Sequence, residues 1–229
     1  PRTAFKEAIS FLYSARDYEK IVPPKYSGES YDLGRFRRLL GRLGNPERHI
    51  RTVLVAGTKG KGSTAAILSS ILTAAGYRTG LYTSPHLVSV RERIQLNGRL
   101  ISEADFARII LDIQALLRRR HVDDYQTVFE ILTAAAFLYF QRKRADIAVI
   151  EAGVGGRLDA TNVLEPLLSV ITPVSIDHRD LLGDTLGKIA REKGGIIKDR
   201  GITVLAAQPA AARRELVRIA RAKRSVLRD

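Results

Sequence analysis

Cysteine, methionine and tryptophan are all missing from this chain of 229 residues. Without cysteine the chain can form neither disulfide bonds nor thiolate metal sites, which is consistent with a reducing cytoplasm. No apolar run is long enough to predict a membrane-spanning helix, and no charged-then-apolar signal peptide opens the sequence. The first residue is Pro1, and the missing initiator methionine suggests processing or an excised fragment.

Acidic residues are few relative to basic ones. The chain has 24 Asp and Glu residues and 38 Lys and Arg residues, so its net charge is +14. Such a chain suits an anionic partner: a nucleotide, a polyanionic substrate or nucleic acid. The basic clusters at 118–120, 142–144 and 213–228 fall on or beside predicted helices, so solvated helix faces explain them. Because no nucleic-acid-binding motif accompanies them, nucleic-acid binding stays a minor alternative.

Short apolar strands alternate with helices after residue 50. Strands are predicted at 52–56, 79–82, 147–151, 168–172 and 203–206. Helices are predicted at 63–75, 103–118, 127–142, 185–192 and 209–222. Apolar strands without alternation indicate a parallel sheet that is covered on both faces. The pattern therefore predicts an α/β fold with a mostly parallel, doubly wound sheet and helices on both faces.

The first 50 residues differ from the rest. Helices are predicted at 4–14 and 33–43, with a Pro/Gly/Ser-rich loop at 21–30 between them. We interpret residues 1–50 as a short helical N-terminal extension that packs on the α/β domain formed by residues 51–229. The final helical region runs on to residue 228, so no closing strand is predicted.

The segment 53–64 reads VLVAGTKGKGST and is the most informative one. A strand, a glycine-rich turn and a helix N-terminus together form a phosphate cradle, in which backbone N–H groups face the anion and Lys61 reaches a terminal phosphate. The strict P-loop pattern is not met, because Val55 takes the place of its first glycine and Gly62 separates Lys61 from Ser63. A glycine-rich turn that binds nothing is the alternative. The predicted nucleotide-binding residues are Gly57, Thr58, Lys59, Gly60, Lys61, Gly62, Ser63 and Thr64.

Three other predicted strands end in candidate metal ligands. Ser84 follows the second strand, Glu151 ends the third, and His178 follows the fourth. The carboxyl ends of parallel strands share one edge of a sheet, so these three side chains should face one crevice. Hard oxygen ligands with one imidazole suit Mg²⁺ or Mn²⁺. Ordinary turn chemistry for Ser84 and a structural role for His178 are the alternatives.

Two further groups could act in the same crevice. Gly153, Gly155 and Gly156 let the backbone pass close to another group, and they place Arg157 and Asp159 as a cation and an anion beside the nucleotide. Lys193 precedes two glycines at a predicted helix C-terminus, where its simplest interpretation is a lysine that complements the helix dipole.

These segments, in this order, resemble the Mur ligase superfamily and, within it, the folylpolyglutamate synthase and dihydrofolate synthase branch. The resemblance covers nearly the whole chain. It is carried by Tyr31-Asp-Leu33, Gly57-Thr-Lys-Gly-Lys-Gly-Ser63, Thr83-Ser-Pro-His-Leu87, Glu92-Arg-Ile94, Phe129-Glu130, Glu151, Gly155-Gly-Arg-Leu-Asp-Ala-Thr-Asn162, Asp177-His178 and Glu192-Lys193.

The resemblance implies an ATP-dependent ligase that joins L-glutamate to a folate or a dihydropteroate. In that family ATP phosphorylates a carboxylate, and the glutamate amine then attacks the acyl phosphate. By resemblance, Lys61, His178 and Lys193 act in catalysis, and Lys193 is the family's carbamylated lysine. Ser63, Ser84, Glu151 and His178 hold Mg²⁺. The substrate is handled by Phe129, Arg157 and Asp159 and by the loop at 21–30, which makes it a substrate loop. Residues 51–229 form the P-loop-containing, ATP-binding central domain of the family. We expect a cytoplasmic monomer.

The chain departs from the family in two respects. Lys59 stands where family members usually have asparagine, and it adds a cation to the phosphate loop. The family is about twice as long, so a C-terminal domain that closes over ATP would be absent, and the central domain would be incomplete. A non-catalytic nucleotide-binding module, either a truncated paralogue or an engineered fragment, is therefore the rival hypothesis.

Overall fold

The computed structural model of the chain describes residues 2–19, 27, 30–118 and 126–229. Its centre is one sheet with the strand order β4-β3-β2-β5-β1-β6-β7-β8. The strands are β1 (Arg51–Ala56), β2 (Thr79–Tyr82), β3 (Ile94–Leu96), β4 (Arg99–Leu100), β5 (Ile147–Glu151), β6 (Leu168–Ile171), β7 (Ile202–Leu205) and β8 (Val226–Arg228). From β2 to β8 all neighbours are parallel, while β3 and β4 add an antiparallel hairpin at the edge.

Helices occupy both faces of this sheet, as predicted. Their bounds are α1 (Arg2–Ser14), α2 (Leu33–Arg42), α3 (Lys61–Ala74), α4 (Glu103–Arg118), α5 (Val128–Arg142), α6 (Arg179–Leu182), α7 (Leu186–Lys193) and α8 (Ala210–Ala222). Capping hydrogen bonds mark the first residues of two of these helices. Ser102 Oγ accepts the N–H of Asp105 in the first turn of α4, and Thr127 and Glu130 form a reciprocal capping box on α5.

Most of the core lies on one face. There Leu54 and Ile150 pack with α5, which is buried along most of its length, and with α1, α2, α4, α7 and α8. The other face carries a smaller cluster, in which Val53, Val55 and Val149 pack against Ala65 of α3. Side chains on a strand alternate between faces, so β1 contributes to both clusters.

The N-terminal helices are joined to the α/β body by packing and by a buried ion pair. Phe5 of α1 meets Phe106 of α4 edge to face, with 5.7 Å between ring centroids. Arg35 of α2 donates to Glu130 of α5 over 2.9 Å, and both side chains are buried. The predicted substrate loop at 21–30 lies mostly outside the described residues.

Every strand and helix predicted from the sequence is present, with ends that differ by at most two residues. The prediction for the end of the chain was wrong: α8 stops at Ala222, and β8 then pairs with β7 as a closing strand. The β3–β4 hairpin was missed, although its turn is Asn97-Gly98, with both residues at positive φ. None of the helices in the described parts of the chain has the length and apolar character needed to cross a membrane.

Candidate nucleotide and substrate site

The turn between β1 and α3 is shaped by two glycines. Gly57 has φ +149°, and a Cβ there would lie 1.9 Å from Oγ1 of Thr172. Gly60 caps α3 in the left-handed region, with φ 79°. The conformation of the turn thus needs glycine at both positions. Lys61, Gly62 and Ser63 form the first turn of α3, whose free N–H groups point toward the carboxyl edge of the sheet.

Bonds to the loop after β6 hold this turn in place. The N–H groups of Thr58 and Lys59 donate to the carbonyl of Pro173 over 3.0 and 3.3 Å. Thr58 Oγ1 donates to the Ser175 carbonyl and accepts the Ser175 N–H, each over 3.1 Å. A turn tied down by four hydrogen bonds is preorganised for a ligand, which lowers the ordering cost of binding. Lys61 Nζ lies 3.5 Å from the Thr58 carbonyl, above the same turn.

Glu151 lies beside the first turn of α3. A Cβ on Gly62 would come within 3.2 Å of Glu151 Oε2, so the glycine makes room for the carboxylate. The same oxygen accepts the N–H of Ser84 over 3.1 Å. Burial raises the pKa of Glu151, while the Ser84 bond and the charge of Lys61 act in the opposite direction. The structure thus brings Ser84 and Glu151 together through the backbone N–H of Ser84, while their role as metal ligands stays a prediction.

Lys193 reaches the same turn from the end of α7. Its side chain is 2% exposed, and Nζ donates to the Gly57 carbonyl over 2.8 Å. Burial lowers the pKa of this ammonium from 10.5 to about 8, and the nearby Lys61 cation adds to the effect. Lys193 therefore contacts the turn between β1 and α3, and the simpler interpretation as a lysine that complements its own helix dipole does not account for this contact.

Asp159 and Arg157 have different surroundings. The buried Asp159 carboxylate accepts the N–H groups of Val154 and Thr161 over 3.0 and 2.9 Å and the Thr161 hydroxyl over 2.5 Å. Burial raises the pKa of Asp159, whereas these hydrogen bonds act to lower it. Arg157 lies outside the cavity lining and pairs with Glu192 through Nε over 3.0 Å and NH2 over 3.0 Å.

A cavity of about 360 Å³ opens beside this loop. It is mainly apolar and combines an aromatic wall with a few polar groups, as small-molecule sites do. The N-terminal segment contributes Tyr18 and Tyr31, whose ring centroids lie 5.5 Å apart. The pKa of Tyr31 is raised to about 12, by burial and by the charge of Asp159. The lining on the other elements includes Lys61, Ser84, Phe129, Gly153, Asp159 and His178.

His178 and Ser63 are the more exposed members of the predicted metal set. The His178 side chain is 48% exposed, and Nε2 lies 3.6 Å from Asp177 Oδ2. The backbone of His178 is left-handed and immediately precedes α6, and the residue belongs to the cavity lining. Within the described residues, no three His, Asp or Glu side chains are grouped closely enough to hold a metal ion by themselves.

One cluster at the cavity was not predicted. Arg93, buried before β3, donates through Nε to His86 Nδ1 over 2.8 Å and through NH1 to Glu19 over 2.7 Å. It therefore ties the Ser84–His86 loop to the N-terminal segment. Arg93 lies in the quoted Glu92-Arg-Ile94 motif, but the sequence offers no indication that Glu19, more than 70 residues away, is its partner.

The strand–turn–helix unit and the parallel sheet define a P-loop-type α/β protein. Comparison with known proteins agrees: the family model described as the Mur ligase middle domain matches residues 55–226. The chain belongs to the Mur ligase family.

Three similar proteins carry related names. Dihydrofolate synthase/folylpolyglutamate synthase of Bacillus subtilis is 42% identical over 214 residues, which is 91% of this chain and 47% of that protein. The crystal structure of folylpolyglutamate synthase from Thermotoga maritima is 40% identical with a TM-score of 0.85, over 99% of this chain and 50% of the other. A folylpolyglutamate synthase complex with AMPPCP and folate is 34% identical with a TM-score of 0.90, over 97% and 53%. The chain thus spans about half the length of the relatives it matches.

Proposed function

We propose that this chain carries the ATP site of a ligase that joins L-glutamate to a folate or a dihydropteroate through an acyl phosphate. The observation that carries the proposal is the meeting of Lys61, Glu151 and Lys193 around one glycine turn at the carboxyl edge of the sheet. The relatives bear folylpolyglutamate and dihydrofolate synthase names, and one of their structures binds an ATP analogue together with folate.

In this proposal the phosphate loop binds the ATP phosphates. The N–H groups from Gly60 to Ser63 face the anion at the start of α3, where the helix dipole also favours negative charge. Lys61 neutralises charge on the terminal phosphate as the phosphoryl group moves to the acceptor carboxylate and ADP leaves. The role of the protein is chiefly to position the reactants, since the loop is already fixed by Thr58 and Ser175.

The donor set suits a magnesium ion. Glu151 supplies a buried carboxylate, Ser63 and Ser84 supply hydroxyl oxygens, and His178 supplies an imidazole at the cavity rim. Hard oxygen donors that leave several positions to water and phosphate are what Mg²⁺ takes in nucleotide sites. When bound, Mg²⁺ would offset the negative charge of the phosphates. Burial of Glu151 keeps its oxygens away from bulk water and ready for such a cation.

Lys193 is the proposed carbamate lysine. A lowered pKa leaves part of the amine neutral near pH 8, and only the neutral amine can form a bond from Nζ to the carbon of CO₂, with release of a proton. The carbamate oxygens would then be anionic ligands beside the phosphate loop. The present bond to the Gly57 carbonyl supports this role, because it holds Nζ beside the glycine turn.

The acceptor would occupy the cavity of about 360 Å³. Phe129 offers a ring face to a flat heterocycle, and Asp159 offers carboxylate oxygen at the inner end. Arg157 enters this proposal only by resemblance, because its guanidinium is engaged by Glu192 outside the lining. L-glutamate, the cytoplasmic setting and the monomeric state are further parts of the proposal.

A non-catalytic nucleotide-binding module is the second candidate, since the chain spans 47% of the Bacillus relative. The deciding experiment joins this chain to the remaining half of that relative and follows glutamate-dependent phosphate release from ATP. We expect release with dihydropteroate, with a reduced folate, or with both. Release with neither acceptor, from a folded protein that binds MgATP, would favour the non-catalytic module.

A further inference from the structure

Two stretches that are distant in the sequence line the same cavity. The N-terminal segment contributes Tyr18 and Glu19, and the loop after β2 contributes Ser84 and Pro85. A shift of one stretch relative to the other would change the shape of the cavity, so the contact that joins them matters for the fit of a ligand. Arg93 makes this contact.

The guanidinium of Arg93 bonds in two directions from a buried position. The residue is 2% exposed, and its Nε donates to His86 Nδ1 over 2.8 Å. NH1 and NH2 donate to the two carboxylate oxygens of Glu19 over 2.7 and 2.5 Å. The planar guanidinium can make this forked bond and the bond to His86 together, whereas the single ammonium of a lysine lacks the geometry. Because a buried cation without its partner is costly, the pairing with Glu19 is strongly favoured.

The loop at 83–89 is fixed by bonds that do not use the Arg93 side chain. Glu92 accepts three consecutive backbone N–H groups, those of residues 87–89, over 2.6 to 3.0 Å. At the start of the loop, the N–H of Thr83 donates to the backbone carbonyl of Arg93 over 3.1 Å. The loop is therefore a firm point of attachment for whatever the Arg93 side chain holds.

The N-terminal segment is held on both sides of Tyr18. On one side the carbonyl of Arg16 accepts the N–H of Val128 over 2.9 Å, and on the other side Glu19 is bonded to Arg93. Tyr18 lies between these two points and lines the cavity. Loss of the Arg93 side chain would free the Glu19 end of the segment, while the bond of Arg16 would remain.

We propose that Arg93 is a positioning residue for the acceptor. It holds Tyr18 and Glu19 at a fixed place relative to the loop at 83–89, and this keeps the cavity in the shape that accepts a flat aromatic ligand. Arg93 is not part of the cavity lining, so it acts through Glu19 and His86. The inference rests on the proposed function, because it takes the cavity as the site of the folate or dihydropteroate.

The test titrates folate calorimetrically into the 229-residue chain in the presence of Mg²⁺ and AMPPCP, the ATP analogue named in the complex of one relative. Arg93→Met should bind folate about tenfold more weakly than the wild type or worse, because the ligand must then order Tyr18 and Glu19 on binding. Its affinity for MgAMPPCP should equal that of the wild type. Arg93→Lys keeps a cation without the fork, so its folate affinity should fall between the two.

Arg91→Met is the matched control, because Arg91 lies in the same turn and donates through NH1 to the carbonyl of Ile101 over 3.2 Å. It should bind folate like the wild type. All titrations are made well below the melting temperature of each variant, where a loss of stability alone leaves the affinity unchanged.

Two further measurements address the contact itself. Glu19→Gln weakens it from the partly exposed end and should also lower the folate affinity. The double variant Arg93→Met/Glu19→Gln should bind no more weakly than Arg93→Met, since both changes break one contact. In Arg93→Met, amide hydrogen exchange should become faster at residues 17–19 and stay unchanged at 87–89, which Glu92 still holds.

Equal folate affinities of the wild type, Arg93→Met and Glu19→Gln would overturn this inference and leave the proposed function standing. Additive losses in the double variant would overturn it as well, because Arg93 would then act elsewhere. A wild-type chain that binds MgAMPPCP and not folate would show that the cavity is not the acceptor site. A folded wild-type chain that binds neither ligand would refute the proposed function itself.

Discussion

The environment of Lys193 depends on contacts with residues that are distant in the sequence. In the sequence it is a lysine at the end of a helix, and only the family resemblance suggested more. In the structure it is 2% exposed and bonded to the Gly57 carbonyl, 136 residues away along the chain. The interpretation of Lys193 as a lysine that complements its helix dipole came from the local sequence. Local sequence cannot show a contact between residues that lie 136 positions apart. Arg157 is the reverse case, since its pairing with Glu192 places it outside the cavity.

The pH dependence of stability tests the environment of Lys193. The pKa is about 8 in the folded protein against an ordinary 10.5, so the folded state releases its proton first as pH rises. The free energy of unfolding should therefore increase between these two values, by on the order of 3 kcal/mol from this residue, and show no such gain below them. Urea unfolding across that range should show the increase in wild type and its loss in Lys193→Met.

Lys223→Met is the matched control for that measurement, because Lys223 is exposed at the end of α8. It should keep the wild-type dependence. A Lys193→Met curve that runs parallel to the wild-type curve would mean that the ammonium has its ordinary pKa.

At the scale of elements, the turn between β1 and α3 depends on Gly57 and Gly60 in different ways. A Cβ on Gly57 would meet Thr172, whereas one on Gly60 has no neighbour within 4 Å and only the φ of 79° opposes it. We expect Gly60→Ala to cost about 1 kcal/mol and Gly57→Ala about 3 kcal/mol, because the latter adds overpacking to strain. Thermal unfolding of both variants measures the difference. Equal losses would show that packing against Thr172 is not what selects glycine at position 57.

The buried ion pair between α2 and α5 leads to a second prediction at this scale. Arg35→Met leaves the buried Glu130 carboxylate without its partner and should cost about 3 to 5 kcal/mol. Asp112→Asn breaks the exposed pair with Arg142 and should cost less than about 1 kcal/mol. Denaturant unfolding of the two variants compares them. Similar small losses in both would show that α2 is held by packing alone.

Helices and strands with a strong local sequence pattern could be predicted from the sequence. Short strands that form only because they pair with a neighbouring strand were harder to predict. The bounds of β2, β5 and α4 agree with the prediction to the residue, since apolar runs and capping residues mark them. β8 has three residues and forms because β7 offers an open edge, which a local pattern cannot show. The β3–β4 hairpin could have been found from Asn97-Gly98. The ion pair between Glu19 and Arg93 could not have been predicted, because no local sequence pattern connects residues that lie 74 positions apart.

At the scale of the whole molecule, the site is open on one side. The 229-residue chain assayed by itself should bind MgATP and show no measurable glutamate ligation with a folate acceptor. Acyl-phosphate chemistry needs exclusion of water and a positioned amine, and complete orientation is worth roughly 7–11 kcal/mol. Glutamate-dependent phosphate release is the measurement. A rate near that of a full-length relative would show that the part of the relatives that this chain does not span is dispensable for closure.

The central claim is that the turn from Gly57 to Thr64 binds the phosphates of ATP through Lys61. Calorimetric titration of MgATP into the wild-type chain, Lys61→Ala and the exposed control Lys223→Ala tests it most directly. Loss of one charged hydrogen bond to phosphate should weaken Lys61→Ala by about tenfold to a hundredfold, with unchanged melting, while Lys223→Ala matches the wild type. Equal affinities of wild type and Lys61→Ala, or no binding by the folded wild-type chain, would contradict the account.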